Sequence, residues 1–187
     1  FWPDGTARVA GREHSAMMLS ACFTKGGMTC LSCHSMHDAP PDKQVRPRLA
    51  GDAMCTQCHA ETPEHAHHPA TSAGARCINC HMPRVTYGLL SALPSHRFDV
   101  PRASGATSRD KPNACNLCHV DRTLRWTAEH LQQWYGQPVP ALAPEHASTA
   151  AAVLWALRGD APQRAITAWH LGWDAAREAS GQGWQEP

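Results

Sequence analysis

The sequence has no long apolar run. Its best, AAAVLWAL at 150–157, falls well short of the roughly 20 residues that a membrane-spanning helix needs. Charge is sparse. Only 18% of residues are charged and the formal net charge is +1, which argues against a nucleic-acid binder working by bulk electrostatics. Large aromatic side chains make up 6% of the chain, and Trp2 is the only tryptophan before residue 120. The first two-thirds therefore has little from which to build a core. No secretory leader is visible at FWPDGTARVA. Between residues 30 and 121 no apolar period of 2 or 3.6 is sustained, and stretches such as DAPPDKQVRPRLAGD and RVTYGLLSALPSHRFDVPRASGATSRDKPNA read as loops. So much loop is unusual in a compact domain, and something other than side chains must fill its interior.

What is abundant is cysteine and histidine, 9 and 13 in 187 residues. Eight of the cysteines form four copies of C-x-x-C-H: Cys30, Cys33 and His34; Cys55, Cys58 and His59; Cys77, Cys80 and His81; Cys115, Cys118 and His119. This is the attachment signature of c-type haem. Two thiols add to the two vinyl groups of one porphyrin, and the adjacent histidine lies under the iron as proximal ligand. Zinc ribbons pair two C-x-x-C units around one metal without needing the trailing histidine. A disulfide framework does not repeat that histidine either, and a thioredoxin-like motif occurs once beside a βαβ pattern, which is absent here. Four c-type haems are expected, and the porphyrins replace the missing core. Thioether attachment takes place outside the cytoplasmic membrane, so an exported protein is expected, periplasmic or extracellular.

The sixth ligand of each iron decides function. A second histidine or a methionine saturates the iron for electron transfer, whereas an open position admits substrate. Nine histidines lie outside the motifs. His37 in CHSMH is within reach of a haem packed beside the first. His65, His67 and His68 crowd PEHAHHP, and His68 is favoured because Pro69 restricts its backbone. His96 in LPSHRFDVP is held between prolines, and His14 sits on an N-terminal helix expected in GREHSAMMLSACF. The expected distal set is His37, His68, His96 and His14, with His65, His67 and Cys22 as alternatives. His130 and His170 read as surface or packing residues and His146 as exposed. Met36, Met54 and Met82 lie close enough to motifs to allow a His/Met haem. Cys22 is left over. It is a buried small apolar residue, a disulfide partner for another chain, or a thiolate ligand to iron.

Three regions are expected: an N-terminal arm with a short helix at 1–29, a tetrahaem domain at 30–121, and a C-terminal helical region at 122–187. In the last, RTLRWTAEHLQQWYG is a helix stopped by Gly136, and PEHASTAAAVLWALRG is a second with Pro144 in its first turn. APQRAITAWHLGWDAAREASG is a third, with Ala165, Ile166, Trp169 and Trp173 in an apolar stripe, so the second and third read as an αα-hairpin. The fold class is mainly α with much irregular structure, almost no β-sheet and a haem-filled core.

CLSCHSMH, HAHHPATSAGARCINCHMP, SHRFDVP and PNACNLCH, followed by RWTAEHLQQWYG, resemble the multihaem cytochromes c of the cytochrome c554 and NrfB/DmsE-like group. They are more similar still to bacterial multihaem cytochromes with a TPR- or HEAT-like helical array after the haems. The resemblance covers about residues 14–136. It implies electron transfer, with distal ligands at His37, at His68 or His67, and at His96. Relatives often place a distal histidine just ahead of the first motif, where this chain has Cys22, so the fourth distal ligand stays open among His14, Cys22 and His65.

The leading expectation is a tetrahaem electron carrier with mostly bis-histidine irons and protein redox partners. A subunit of a homo-oligomeric filament or larger respiratory or photosynthetic complex is an alternative. So is an oxyanion reductase with one open or Cys22-ligated haem. The enzyme reading is disfavoured: no CxxCK motif is present, and Tyr87 and Tyr135 are the only tyrosines.

Overall fold

A computed structural model of the chain describes residues 1–37, 39–40, 43–60, 63–88, 91–103 and 111–181. The α-helices are α1 (Glu13–Met18), α2 (Ala21–Thr24), α3 (Ala53–Thr56), α4 (Cys77–His81), α5 (Ala114–Cys118), α6 (Leu124–Tyr135), α7 (Pro144–Ser148), α8 (Ala151–Arg158), α9 (Ala161–Leu171) and α10 (Asp174–Ser180). Strands β1 (Arg84–Tyr87) and β2 (Ser91–Pro94) form an antiparallel hairpin in which Arg84 faces Pro94 and Tyr87 faces Ser91. The architecture is mainly helical with much irregular structure and one small sheet. None of the helices among the described residues is long and apolar enough to cross a membrane.

Among the described residues, the buried side-chain clusters are built from Ala92 onward. Leu117, Leu124, Ala151, Trp155 and Ile166 form the largest, joined by Ala92 from β2. Val120, Ala152 and Ala176 form a second, with Trp173 against it, and Ala103, Ala128 and Leu131 a third against Cys115. From residue 20 to 81 the only buried hydrophobic side chain among the described residues is Leu49.

Local chemistry sets the helix ends. The Thr123 hydroxyl accepts from the Trp126 amide and caps α6, and Gly136 ends it in the left-handed region at φ 65. Asp160 and Gln163 exchange side chain-to-backbone bonds in a capping box that opens α9 right after the Gly159 turn. This gives α8 and α9 the short connection of an αα-hairpin.

Two helices expected as continuous are broken. Thr149 and Ala150 are extended, and the Ala151 amide donates to the Arg122 carbonyl at 2.9 Å, so this stretch bonds the linker ahead of α6 instead of completing a helix. α9 stops at Gly172, and extended Trp173 turns its indole onto Val120, Ala152 and Ala176. α7 is thereby free to fold on α6, which makes His146 buried rather than exposed. The hairpin β1–β2 replaces what read as loop. Thr86 accepts from the Ala10 amide at 2.7 Å, so the N-terminal arm docks on this hairpin, and an Arg8–Asp160 ion pair fastens it to the start of α9.

Candidate functional site

All four C-x-x-C-H segments adopt a helical turn, which puts cysteines three apart on one face and leaves the next histidine beside them. His34, His59 and His119 donate their amides to the carbonyls of Cys30, Cys55 and Cys115 at 2.9, 3.0 and 2.7 Å. The third motif lies within α4. The fourth is the most firmly held. Its α5 is capped by Asn113, whose side chain accepts from the Asn116 amide. Asn116 is fully buried, donates to the carbonyls of Arg122 and Thr123, and accepts from the Thr127 hydroxyl at 2.7 Å. This buried amide therefore bolts the motif to α6.

The motifs neighbour one another in chain order. Burial raises the Cys33 thiol, with Cys58 the next contributor. Burial and then the adjacent Cys77 push Cys55 up to about 12. Cys115 and Cys118 are pushed up to about 12 and about 11 by burial first and then by Cys80. Asp52 also joins the second motif to the third: it accepts from the Cys77 amide at 3.0 Å and pairs with Arg76 at 3.3 Å.

Three of the C-x-x-C-H histidines face a second histidine. His34 and His96, His81 and His65, and His119 and His68 each have ring centroids 6.0 Å apart, with planes inclined by 26°, 31° and 29°. Two metal–nitrogen bonds of about 2 Å, plus about 1 Å from each nitrogen to its ring centre, require about 6 Å for two imidazoles on opposite sides of one metal ion. Rings in direct stacking contact would approach closer, as His67 and Trp134 do at 4.7 Å. The residues present fit six-coordinate haem at these three positions.

Backbone acceptors orient several of these rings. His81 Nδ1–H donates to the Asp99 carbonyl at 2.7 Å, and His68 Nδ1–H to the Ala66 carbonyl at 2.5 Å. Both bonds leave Nε2 free for metal, the usual arrangement for a ligating histidine. The Asp99 amide returns a bond to the His81 carbonyl at 3.0 Å. The segment carrying His96 toward His34 is thus anchored on the third motif. His68 and His119 border a cavity of about 260 Å³ also lined by Cys80, Cys115, Cys118 and Trp134.

Gly74 lies against His68. A Cβ there would sit 2.6 Å from Cγ and 2.7 Å from Nε2 of the imidazole. Gly74→Ala is expected to push His68 off its line to His119 and to cost about 1–3 kcal/mol in overpacking. A high-spin fraction confined to one haem, with a lowered Tm, is the expected readout.

The remaining candidates are placed differently. His14 is exposed and lies edge-on to Phe23 at 6.3 Å. His37 and His59 are both exposed, with no ring contact among the described residues. Cys22, half-buried in α2, is near enough to Cys33 to raise its thiol slightly. Met82 is buried, and Met36 is exposed. His170 is 3% exposed, and burial pushes it down to about 4. It stays neutral and donates Nδ1–H to the Ile166 carbonyl.

Sequence reasoning missed the aromatic wall of α6. Trp126, His130 and Trp134 recur at intervals of four and border the cavity, with Trp126 4.9 Å from His119 and 4.2 Å from His130. The i, i+4, i+8 spacing was the available signal. Gly74 and Asn116 carried none.

Compared with known families, the chain matches the one described as the doubled CXXCH motif, over residues 22–64. No curated protein and no solved structure matches the chain. Residues 22–64 contain the first two haem-attachment motifs, and over that span the chain is similar to c-type haem-binding segments, which supports a multihaem c-type cytochrome.

Proposed function

We propose that the chain carries four c-type haems and passes electrons along them, with two histidines on each iron. The observation that carries this reading is the set of three histidine pairs with a common centroid separation of 6.0 Å. Packing and stacking contacts elsewhere in the chain range from 4.2 to 6.5 Å, so one shared value across three pairs, each containing a C-x-x-C-H histidine, points to a common spacer. On this reading His34 and His96, His81 and His65, and His119 and His68 hold three irons. His37, a distal ligand by the resemblance, is then left for the fourth iron, that of His59.

Haem supplies reversible one-electron chemistry at iron. The protein contributes spacing, axial ligands and burial, which together set the potentials. The thiols of successive motifs neighbour one another, which supports haems arranged in chain order. Saturated irons have no position for substrate, which favours transfer over catalysis. The segments 1–29, 30–121 and 122–187 then act as arm, haem-bearing unit and helical cover. Partners are redox proteins outside the cytoplasmic membrane, where thioether attachment occurs. Intact mass of the purified holoprotein tests the cofactor count. A mass increment of four covalently bound haems is expected, and two or three would refute it.

A further inference from the structure

His67 lies between the two distal histidines of PEHAHHP but faces no proximal histidine. It is the only non-glycine residue with positive φ among the described residues, at 53°. The left-handed region is disfavoured for L-residues by contact between Cβ and the backbone, although histidine is among the side chains that enter it more often than most. The strain sits at a point of change. The 3-10 turn Pro63–Ala66 carries His65 toward His81 of the third motif, and His68 points to His119 of the next. A left-handed residue between them turns the chain so that both rings find their partners within four residues.

The end of α6 holds this turn from outside. The His67 ring stacks on Trp134 at 4.7 Å and 10°, and meets Tyr135 edge-on at 5.5 Å. The Tyr135 hydroxyl donates to the His65 carbonyl. Trp134 also contacts His68 edge-on at 6.5 Å. Adjacent residues of one helix therefore contact all three histidines of the segment.

We infer that His67 is a positioning residue: its left-handed backbone and its stack on Trp134 aim His65 and His68 at the third and fourth haems. The inference rests on the bis-histidine reading above. Strain held by surrounding contacts is common where a segment must present functional groups in fixed directions.

The test uses the holoprotein with His67→Ala, His67→Gly and Trp134→Leu, beside His65→Ala and His68→Ala. Two readouts are compared: low-temperature EPR of the oxidised protein and the rate of carbon monoxide binding to the reduced protein. His67→Ala and Trp134→Leu are expected to keep the irons low-spin, shift the g-values of two haems and speed carbon monoxide binding at those haems by about tenfold or more, the usual size of an outer-shell effect. His67→Gly, which accepts positive φ freely, should recover part of that loss. If His67→Ala matches wild type in both readouts while His65→Ala and His68→Ala each give one high-spin haem, the inference falls and the ligation stands. A full high-spin haem in His67→Ala would make His67 itself a ligand and also overturn it. If His65→Ala and His68→Ala leave wild-type spectra, the ligation reading fails and the inference with it.

Discussion

Replacing His68 by alanine is expected to turn one ferric haem from low spin to high spin and to leave the other irons unchanged. His68 stands 6.0 Å from His119, and its Nδ1–H is tied to the Ala66 carbonyl, so its loss leaves a single aimed vacancy. His65→Ala and His96→Ala should each do the same at the irons of His81 and His34. Removing a strong nitrogen donor should raise the potential of the affected haem by on the order of 0.1 V, a fraction of the roughly 0.8 V range that axial ligands span. EPR and spectroelectrochemical titration measure the two effects. His14→Ala, by contrast, should change neither, because His14 packs against Phe23. A high-spin signal in that variant would give His14 to the iron of His59.

The larger effect is expected from withholding haem altogether. Among the described residues, Leu49 is the only buried hydrophobic side chain between 20 and 81, whereas the clusters around Trp155, Leu131 and Ala176 lie with α5 to α10. A chain expressed without haem attachment should retain helical signal from the C-terminal half and lose the structure around the first three motifs. Limited proteolysis should then cut freely between residues 20 and 81, at sites protected in the holoprotein. The fourth motif should resist longer, because buried Asn116 and Cys115 pack on α6. Uniform resistance would mean that side chains alone supply a core that the burial pattern does not reveal.

Much of this was legible in the sequence because haem attachment is local chemistry. Doubled C-x-x-C-H runs, such as those ending at His34 and His59, indicate c-type haem whatever the fold around them. Helix α6 was legible too: Gly136 marks its end, and of the two threonines near its start, Thr123 and Thr127, it is Thr123 that caps it. The breaks at Thr149 and Gly172 were not. They depend on a bond to Arg122 and on a pocket for Trp173, both distant in sequence. The same limit applies to PEHAHHP. Its spacing allows any of three histidines to face an iron. Pro69 favours His68, but only the left-handed backbone at His67 separates the rings that face His81 and His119 from the one that faces Trp134. The hairpin of β1 and β2 was masked by prolines and by Gly88, whose φ of 58 makes a turn that also reads as plain loop.

Low-temperature EPR of the fully oxidised wild-type holoprotein, with spin integration against its haem content, tests the central claim most directly. Four low-spin bis-histidine ferric haems, with no high-spin or thiolate-type signal, are predicted. A high-spin signal integrating to one haem or more would contradict the account, because at least one iron would then have no second histidine.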